Sequence, residues 1–286
     1  MAGWLRRHSG IIPYLFLVPG GLWLAIFFVV PMVTMASVSL QEGSLGTGFR
    51  LTWNFDIFPE AVARWDTQFI RSLIFGLIVT VLAMVIGYPM AYTIAFRGGR
   101  YKTILLLLVI MPFFTSFVIR TISWKFILAD QGFVLGTLKD IGLLDEGFRL
   151  IATPVAVISG ITYNFLPFVV LPLYVALERI DYRLIEAAND LYASRLQAFL
   201  RVTLPLSIPG VFAASLLSFI PAVGDYLNAD LLGSRNETMI GNVIQTLYLT
   251  NRDYPEASAL SLILMAGILV SIFLYVRLLR GQELTA

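Results

Sequence analysis

Asp225 is the residue whose type and position most clearly allow ligand chemistry. It follows Pro221 and Gly224 at the end of residues 202–224, an uncharged stretch long enough to cross a lipid bilayer. A charged side chain at membrane depth is costly, so it is a functional candidate by default, and its carboxylate could pair with an ammonium group. In the alternative interpretation, Asp225 faces water at the membrane surface or pairs with Arg120.

Three aromatic residues could line the same pathway as Asp225, because an aromatic face attracts a cation by about 0.5–2 kcal/mol. Arg120 and Lys125 argue against a cavity that favours cations alone, and they could instead pair with acids or hold position at the outer surface. The three aromatic candidates are Tyr226, Trp124 and Tyr163.

The sequence lacks the residues that other kinds of chemistry require. It has no Cys, its one His is His8 near the N-terminus, expected to be solvated, and no metal site is predicted. A GxxxxGK[ST] phosphate-binding loop is absent, and the glycine-rich segment from Gly43 to Gly48 is interpreted as a flexible loop. Any energy source must therefore reside on another polypeptide, and the chain is not expected to be an enzyme.

Charged residues are distributed so that six stretches of the chain are apolar enough to span a membrane. The chain is 58% hydrophobic and 13% charged, whereas a soluble domain carries about 25% charged residues. A span needs about 20 apolar residues, and the third stretch reaches that length only if it continues past Arg120. The sequence predicts an all-α membrane protein with helices at 12–38, 69–96, 103–128, 153–177, 205–229 and 257–279.

The positions of Lys and Arg predict the orientation of these six helices. With the N-terminus inside, the cytoplasmic segments hold 11 basic and 5 acidic residues, and the outer segments hold 9 basic and 13 acidic residues. Cytoplasmic loops retain positive charge, so both termini are expected in the cytoplasm.

The second predicted helix carries a small residue at every fourth position: Ala83, Gly87, Ala91 and Ala95. Because small residues let helices approach closely in lipid, this row predicts a packing face.

The segment from Glu178 to Pro205 is too charged to span lipid and too periodic to be a loop. It carries apolar residues at helical spacing, and Asp181 and Ser194 are suitable N-cap residues for two short helices. An amphipathic pair of this kind could lie on the lipid surface or dock a cytoplasmic partner, and the residues alone do not separate these alternatives.

The same segment resembles the cytoplasmic loop signature of bacterial ABC importer permeases, which begins with EAA and ends with I-x-L-P. The usual glycine between the two parts is replaced by Tyr192, so either the turn there is gentler or Tyr192 bears backbone strain. The resemblance implies an ATPase-coupling loop at about 178–205 whose contact residues are Glu186, Ala187, Ala188, Asp190, Leu191, Leu204 and Pro205.

Other segments resemble the spermidine/putrescine-type branch of these permeases, among them MPFFTSFVIRTISWKFIL (111–128) and IPAVGDYLNADLLGS (220–234). This resemblance implies the type I importer fold, known as MetI-like, in a single permease domain over residues 1–286. It also implies a second homologous permease, an ATPase homodimer that holds ATP and Mg, and a periplasmic or lipid-anchored substrate-binding protein. No cofactor in this chain and no nucleic-acid partner are expected.

Two other classes of protein compete with this interpretation. A self-contained secondary transporter or channel would need acids within its own helices, and four of the predicted helices have almost none. An intramembrane enzyme would need His, Cys or paired buried carboxylates. Stable co-purification with an ATPase would separate the importer from both.

Overall fold

The computed structural model describes the backbone of residues 12–283 and the side chains of residues 16–277. His8 lies outside the described residues. The chain forms two compact units, which are described separately. The hairpin unit comprises the described residues up to Arg64 together with Ile244–Val270, and the core unit comprises Trp65–Val243 and the described residues from Ser271 onward.

Helices dominate the described residues, because apolar segments without water nearby must satisfy their backbone groups internally. The elements in chain order are α1 (Ile12–Leu24), a π-turn (Ala25–Val29), α2 (Val30–Ser39), β1 (Gln41–Ser44), β2 (Gly48–Leu51), α3 (Ile57–Arg97), α4 (Lys102–Ile110), a 3-10 turn (Met111–Phe114), α5 (Phe117–Leu128), α6 (Phe133–Asp140), α7 (Pro154–Glu178), α8 (Tyr182–Asp190), α9 (Arg195–Ala198), a π-turn (Phe199–Thr203), α10 (Leu204–Val223), α11 (Leu227–Leu232), α12 (Ile240–Gln245), a π-turn (Thr246–Asn251) and α13 (Tyr254–Glu283).

Five helical segments among the described residues are long and apolar enough to cross a membrane, and a sixth results if one bent pair counts as a single span. The predicted all-α class with six spans is confirmed. The first, fourth and sixth predicted helices agree with the structure to within a few residues. The second begins at Ile57 rather than at 69, and it continues through a kink at Trp65.

Two predicted helices are corrected by the structure. The predicted helix at 103–128 is broken: Gly99–Phe114 and Phe117–Asp140 are bent by 96° relative to each other. The predicted helix at 205–229 begins earlier, at Arg195, and ends at Val223. Both breaks place polar side chains inside the core unit.

The glycine-rich segment in the hairpin unit is also corrected, because it forms a β-hairpin rather than an irregular loop. Strands β1 and β2 pair antiparallel, with Gly43 opposite Phe49 and Ser44 opposite Gly48. The φ angles of Gly43 and Gly48 are 139° and 77°, values that glycine adopts readily because it has no Cβ.

The small residues of α3 form a packing face against α7 in the core unit, as the sequence predicts. Ala83, Ala91 and Ala95 are buried in one cluster with Val169 and Leu173. A Cβ on Gly87 would lie 2.8 Å from Val169 Cγ1, closer than carbon atoms normally approach. This close packing fixes the distance between α3 and α7. Helix α7 carries residues of the candidate site.

Candidate functional site

The break before α5 positions the first part of the candidate site. Pro112 lies in the 3-10 turn, and Thr115 and Ser116 then adopt extended ψ values of 152° and 136°. The Thr115 backbone N–H and hydroxyl both bond to the Pro112 carbonyl, at 3.2 and 2.6 Å, which satisfies a carbonyl that the broken helix exposes. Helix α5 then begins at Phe117 in a new direction.

The break after α10 positions the second part of the candidate site, which lies around Asp225. Helix α10 ends at Val223, and the Asp225 side chain caps the first turn of α11. Asp225 Oδ1 accepts a hydrogen bond from the Asn228 backbone N–H at 2.8 Å, and Oδ2 accepts one from Asn228 Nδ2 at 2.8 Å. Only 6% of Asp225 is exposed, so it does not face water at the membrane surface.

The same asparagine joins Asp225 to two further helices. Asn228 Oδ1 accepts a hydrogen bond from Asn164 Nδ2 of α7 at 3.1 Å and lies 3.2 Å from the Thr121 hydroxyl of α5. Asn164 Nδ2 also lies 3.3 Å from the Thr121 hydroxyl. We call Thr121, Asn164, Asp225 and Asn228 the polar cluster, and all four residues are buried.

Two of the predicted aromatic residues adjoin the polar cluster. The Trp124 and Tyr163 rings are stacked, with centroids 5.1 Å apart and planes 4° from parallel. A Cβ on Gly160 would lie 3.1 Å from both Trp124 Cδ1 and Asn228 Oδ1, so the indole and the Asn228 amide face the same small residue. The absence of a side chain at Gly160 allows this approach.

Tyr226 and Arg120 take no part in the hydrogen bonds of the polar cluster among the described residues. The Tyr226 side chain is 43% exposed. Arg120 is buried over the rings of Phe113 and Phe117, and its Nε and Nη1 have no hydrogen-bond partner in the part of the chain that is described. The alternative that Asp225 pairs with Arg120 is therefore not supported, since the Asp225 carboxylate is bonded to Asn228.

The sequence does not predict Thr121, Asn164 or Asn228 as site residues. A signal was present, because an asparagine in an otherwise apolar helix must find a partner. The sequence does not show that both asparagines and Asp225 meet, since the meeting depends on the two helix breaks.

The segment at 178–205 forms the two predicted short helices with the predicted caps. Asp181 accepts a hydrogen bond from the Arg183 N–H, and Ser194 forms a capping box with Gln197. Helix α9 then continues through the π-turn Phe199–Thr203 directly into α10. The second short helix is thus the first turn of the fifth span rather than a separate element.

Most of the predicted coupling residues are available on the surface of this segment. Glu186, Ala187, Asp190, Leu191 and Pro205 are exposed, whereas Ala188 and Leu204 are half-buried. Large apolar side chains are exposed on the same segment: Leu184, Leu191, Tyr192, Leu196 and Leu200.

Tyr192 bears the backbone strain that its position predicts. Its φ is 63°, in the left-handed region that costs an L-residue roughly 1–2 kcal/mol, and its side chain is 97% exposed. The sharp turn that glycine would allow is therefore kept, with Tyr192 strained within it.

A multi-pass helical fold with an internal polar cluster and an exposed amphipathic segment is typical of a membrane transport subunit. Residues 83–283 match the family of binding-protein-dependent transport system inner membrane components. The chain is 37% identical over 265 residues to the spermidine/putrescine transport system permease protein PotB of Haemophilus influenzae, covering 89% of this chain and 90% of that protein. This chain belongs to the family of binding-protein-dependent transport system inner membrane components.

Solved structures agree on the fold. A chain of a bacterial ABC transporter that imports the acidic polysaccharide alginate superposes with a TM-score of 0.72 at 22% identity, covering 98% of this chain and 99% of that one. A bacterial alginate ABC transporter in complex with a periplasmic protein that holds an alginate pentasaccharide gives a TM-score of 0.69 at 23% identity, covering 94% and 93%. The predicted type I importer permease architecture is thereby confirmed.

Replacing Tyr192 by Gly should relieve the left-handed strain and stabilise the segment by about 1 kcal/mol. Amide hydrogen exchange over residues 182–198 of the purified chain should then slow about fivefold. The matched control is Ala193→Gly, because Ala193 does not have a positive φ and the added flexibility should speed exchange. Faster exchange in Tyr192→Gly would contradict the strain at this position.

Proposed function

We propose that this chain is the permease subunit of an ATP-binding-cassette importer that moves putrescine, spermidine or a related small amine into the cytoplasm. The observation that carries the proposal is the buried Asp225 carboxylate within the polar cluster, beside the stacked Trp124 and Tyr163 rings. The name of the relative from Haemophilus influenzae supports the substrate class.

The chemistry of the site suits an ammonium group. A protonated amine has three N–H donors and needs acceptors once it leaves water. Asp225 and the neighbouring side-chain oxygens supply acceptors, and the aromatic pair adds attraction to positive charge. Tyr226 is half-exposed beside Asp225 in sequence, so it remains a proposed lining residue of the pathway.

Energy for transport is proposed to come from an ATPase that docks on the 178–205 segment. The exposed side chains of Glu186, Asp190 and Leu191 offer that partner both charge and apolar surface. ATP and Mg would be held by the ATPase, and this chain would contribute the contact residues alone.

The complete importer is proposed to contain a second homologous permease, two ATPase copies and a substrate-binding protein on the outer face. The solved complex of the alginate transporter with its periplasmic protein supports a partner of that kind. The excess of Lys and Arg on the predicted inner segments supports cytoplasmic termini. ATP binding and hydrolysis would bias the permease pair between outward- and inward-open states.

The test of this function is uptake of labelled putrescine and spermidine into proteoliposomes that hold this chain with its partner permease, ATPase and binding protein. We expect uptake only when all four components and ATP are present. Uptake by this chain without the ATPase would indicate a secondary transporter or channel, and ATP turnover without amine uptake would reject the polyamine class.

Substituting Asp225→Asn should lower amine uptake by about tenfold or more while the complex still assembles, because the charge that pairs with the ammonium group is lost. Uptake per assembled complex is the measurement, and Asp230→Asn is the matched control because Asp230 lies on α11 and is exposed. Equal uptake kinetics in Asp225→Asn and wild type would remove Asp225 from the pathway.

Reversing the charge of Glu186 should weaken ATPase docking without unfolding the membrane helices, because Glu186 is exposed and has no structural partner to lose among the described residues. Co-purification of the ATPase with Glu186→Arg should fall several-fold. The control is Asp145→Arg, an exposed acid in a segment predicted to lie outside. An intact complex with normal transport in Glu186→Arg would exclude this docking contact.

A further inference from the structure

The hydrogen bonds of the polar cluster run in one direction, starting from Asp225. A carboxylate only accepts hydrogen bonds, so the Asn228 amide must turn its NH2 group toward Asp225. The Asn228 carbonyl oxygen then faces Asn164 and accepts from the Asn164 NH2 group at 3.1 Å. Each amide thus presents its donor toward Asp225 and its acceptor away from it.

This directional chain ends on an acceptor that has no donor. Asn164 Oδ1 is buried and has no hydrogen-bond partner in the described residues, and Asn164 is only 1% exposed. A buried acceptor without a partner costs about 1–3 kcal/mol, so the absence of a donor here needs a reason. Because hydrogen-bonded groups polarise one another, the negative charge of Asp225 strengthens the acceptor at the far end of the chain.

A second acceptor is released next to Asn164 in the same helix. Pro167 lies inside α7 and has no N–H, so the Tyr163 carbonyl loses its usual helical partner four residues later. Tyr163 and Pro167 also line a cavity of about 570 Å³ within the core unit, together with residues of α3 and α4. The cavity therefore borders the turn of α7 that carries Asn164, through Tyr163 and Pro167, while Asn164 itself is buried behind its lining.

We propose that Asn164 Oδ1 is an ammonium-binding subsite of the transport pathway, polarised by Asp225 through Asn228. The inference rests on the proposed amine import and deepens it, because it adds a second contact for a substrate ammonium, at the end of the chain of amides that is far from the Asp225 carboxylate. Asn164, Asn228 and Thr121 then belong to the recognition machinery together with the Trp124–Tyr163 stack.

The purely structural alternative is that the polar cluster only ties α5, α7 and α11 together. Such a network is expected to satisfy every member, since a partly satisfied buried network is less stable than an apolar core. The missing donor at Asn164 Oδ1 is what this alternative leaves unexplained. Arg120 has unpartnered N–H groups on the neighbouring helix, yet it is not hydrogen-bonded to Asn164, so the acceptor stays open to another cation.

The test compares wild type with Asn164→Leu and Asn164→Asp in the complete importer, reconstituted with its partner permease, ATPase and binding protein. Asn164→Leu keeps the side-chain size and removes both the acceptor and the donor. Asn164→Asp keeps one acceptor oxygen, and because burial disfavours the charged form, its second oxygen carries the proton and still donates to Asn228 Oδ1. Labelled putrescine uptake and ATP hydrolysis are measured in the same vesicles at saturating loaded binding protein. The matched control is Thr162→Val, because among the described residues the buried Thr162 hydroxyl bonds only to the Ile158 carbonyl of its own helix.

In Asn164→Leu we expect putrescine uptake per ATP to fall about tenfold, as for loss of a hydrogen bond to a charged group. Asn164→Asp should keep the wild-type ratio or exceed it, and Thr162→Val should stay within about twofold of wild type. A merely structural role would reduce assembly, uptake and ATP hydrolysis together in both Asn164 variants.

A wild-type ratio in assembled Asn164→Leu would overturn the subsite. Where Asn164→Leu does not assemble, Asn164→Asp decides: a retained ratio supports the subsite, and a collapsed ratio rejects it. Failure of the wild-type complex to take up putrescine at all would reject the proposed function instead, so the two failures are distinguishable.

Discussion

A carboxylate buried away from water accepts hydrogen bonds and cannot donate them, and this property of Asp225 orders the polar groups of the core unit. The carboxylate caps the first turn of α11 and fixes the Asn228 amide, which in turn fixes the Asn164 amide of α7. Without Asp225 both amides could reverse, and the hydrogen bonds between α7, α5 and α11 would lose their common direction. The position of the unpartnered Asn164 oxygen follows from this order.

The two helix breaks are the cost of bringing those groups together. A span in lipid keeps its backbone bonds within the helix, so each interruption needs local replacements. At the first break, the Pro112 carbonyl accepts hydrogen bonds from the Thr115 hydroxyl and N–H. At the second break, the Asp225 side chain accepts a hydrogen bond from the Asn228 N–H. Close packing of α3 on α7 through Gly87 holds the helix that lies between these two breaks.

The sequence predicts much of the fold, because membrane spans are determined by local composition. The length of each apolar stretch predicts six spans, small residues every four positions predict a packing face on α3, and Asp181 and Ser194 predict the caps of the 178–205 segment. The break between α4 and α5 is not predicted, since the apolar run continues through it and membrane helices tolerate an internal proline such as Pro112.

The candidate site was harder to predict, because its members are distant in sequence. Asp225 is predicted from its charge, and Trp124, Tyr163 and Tyr226 are predicted from their type. Of these aromatic residues, Trp124 and Tyr163 adjoin the polar cluster. Thr121, Asn164 and Asn228 are recognisable as parts of one site only in the structure, where three helices bring them together. The β-hairpin was missed for the opposite reason, since glycines at 43, 46 and 48 fit a loop and a tight hairpin equally well.

The proposed ATPase contact and the proposed amine site lie toward opposite ends of the same two helical segments. The helical segment Arg195–Val223 begins at the Ser194 cap within the 178–205 segment and ends two residues before Asp225. Helix α7 carries Asn164 and ends at Glu178, where the 178–205 segment starts. Each of these two helical segments runs from the 178–205 segment toward the polar cluster, so a displacement of the 178–205 segment would act on both of them. Because Asn164 lies on α7 and Asp225 follows the end of α10, a relative displacement of these two helices would change the distances along the chain of amides between them. The proposed amine site and the proposed ATPase-docking segment are therefore joined through the hydrogen bond from Asn164 to Asn228.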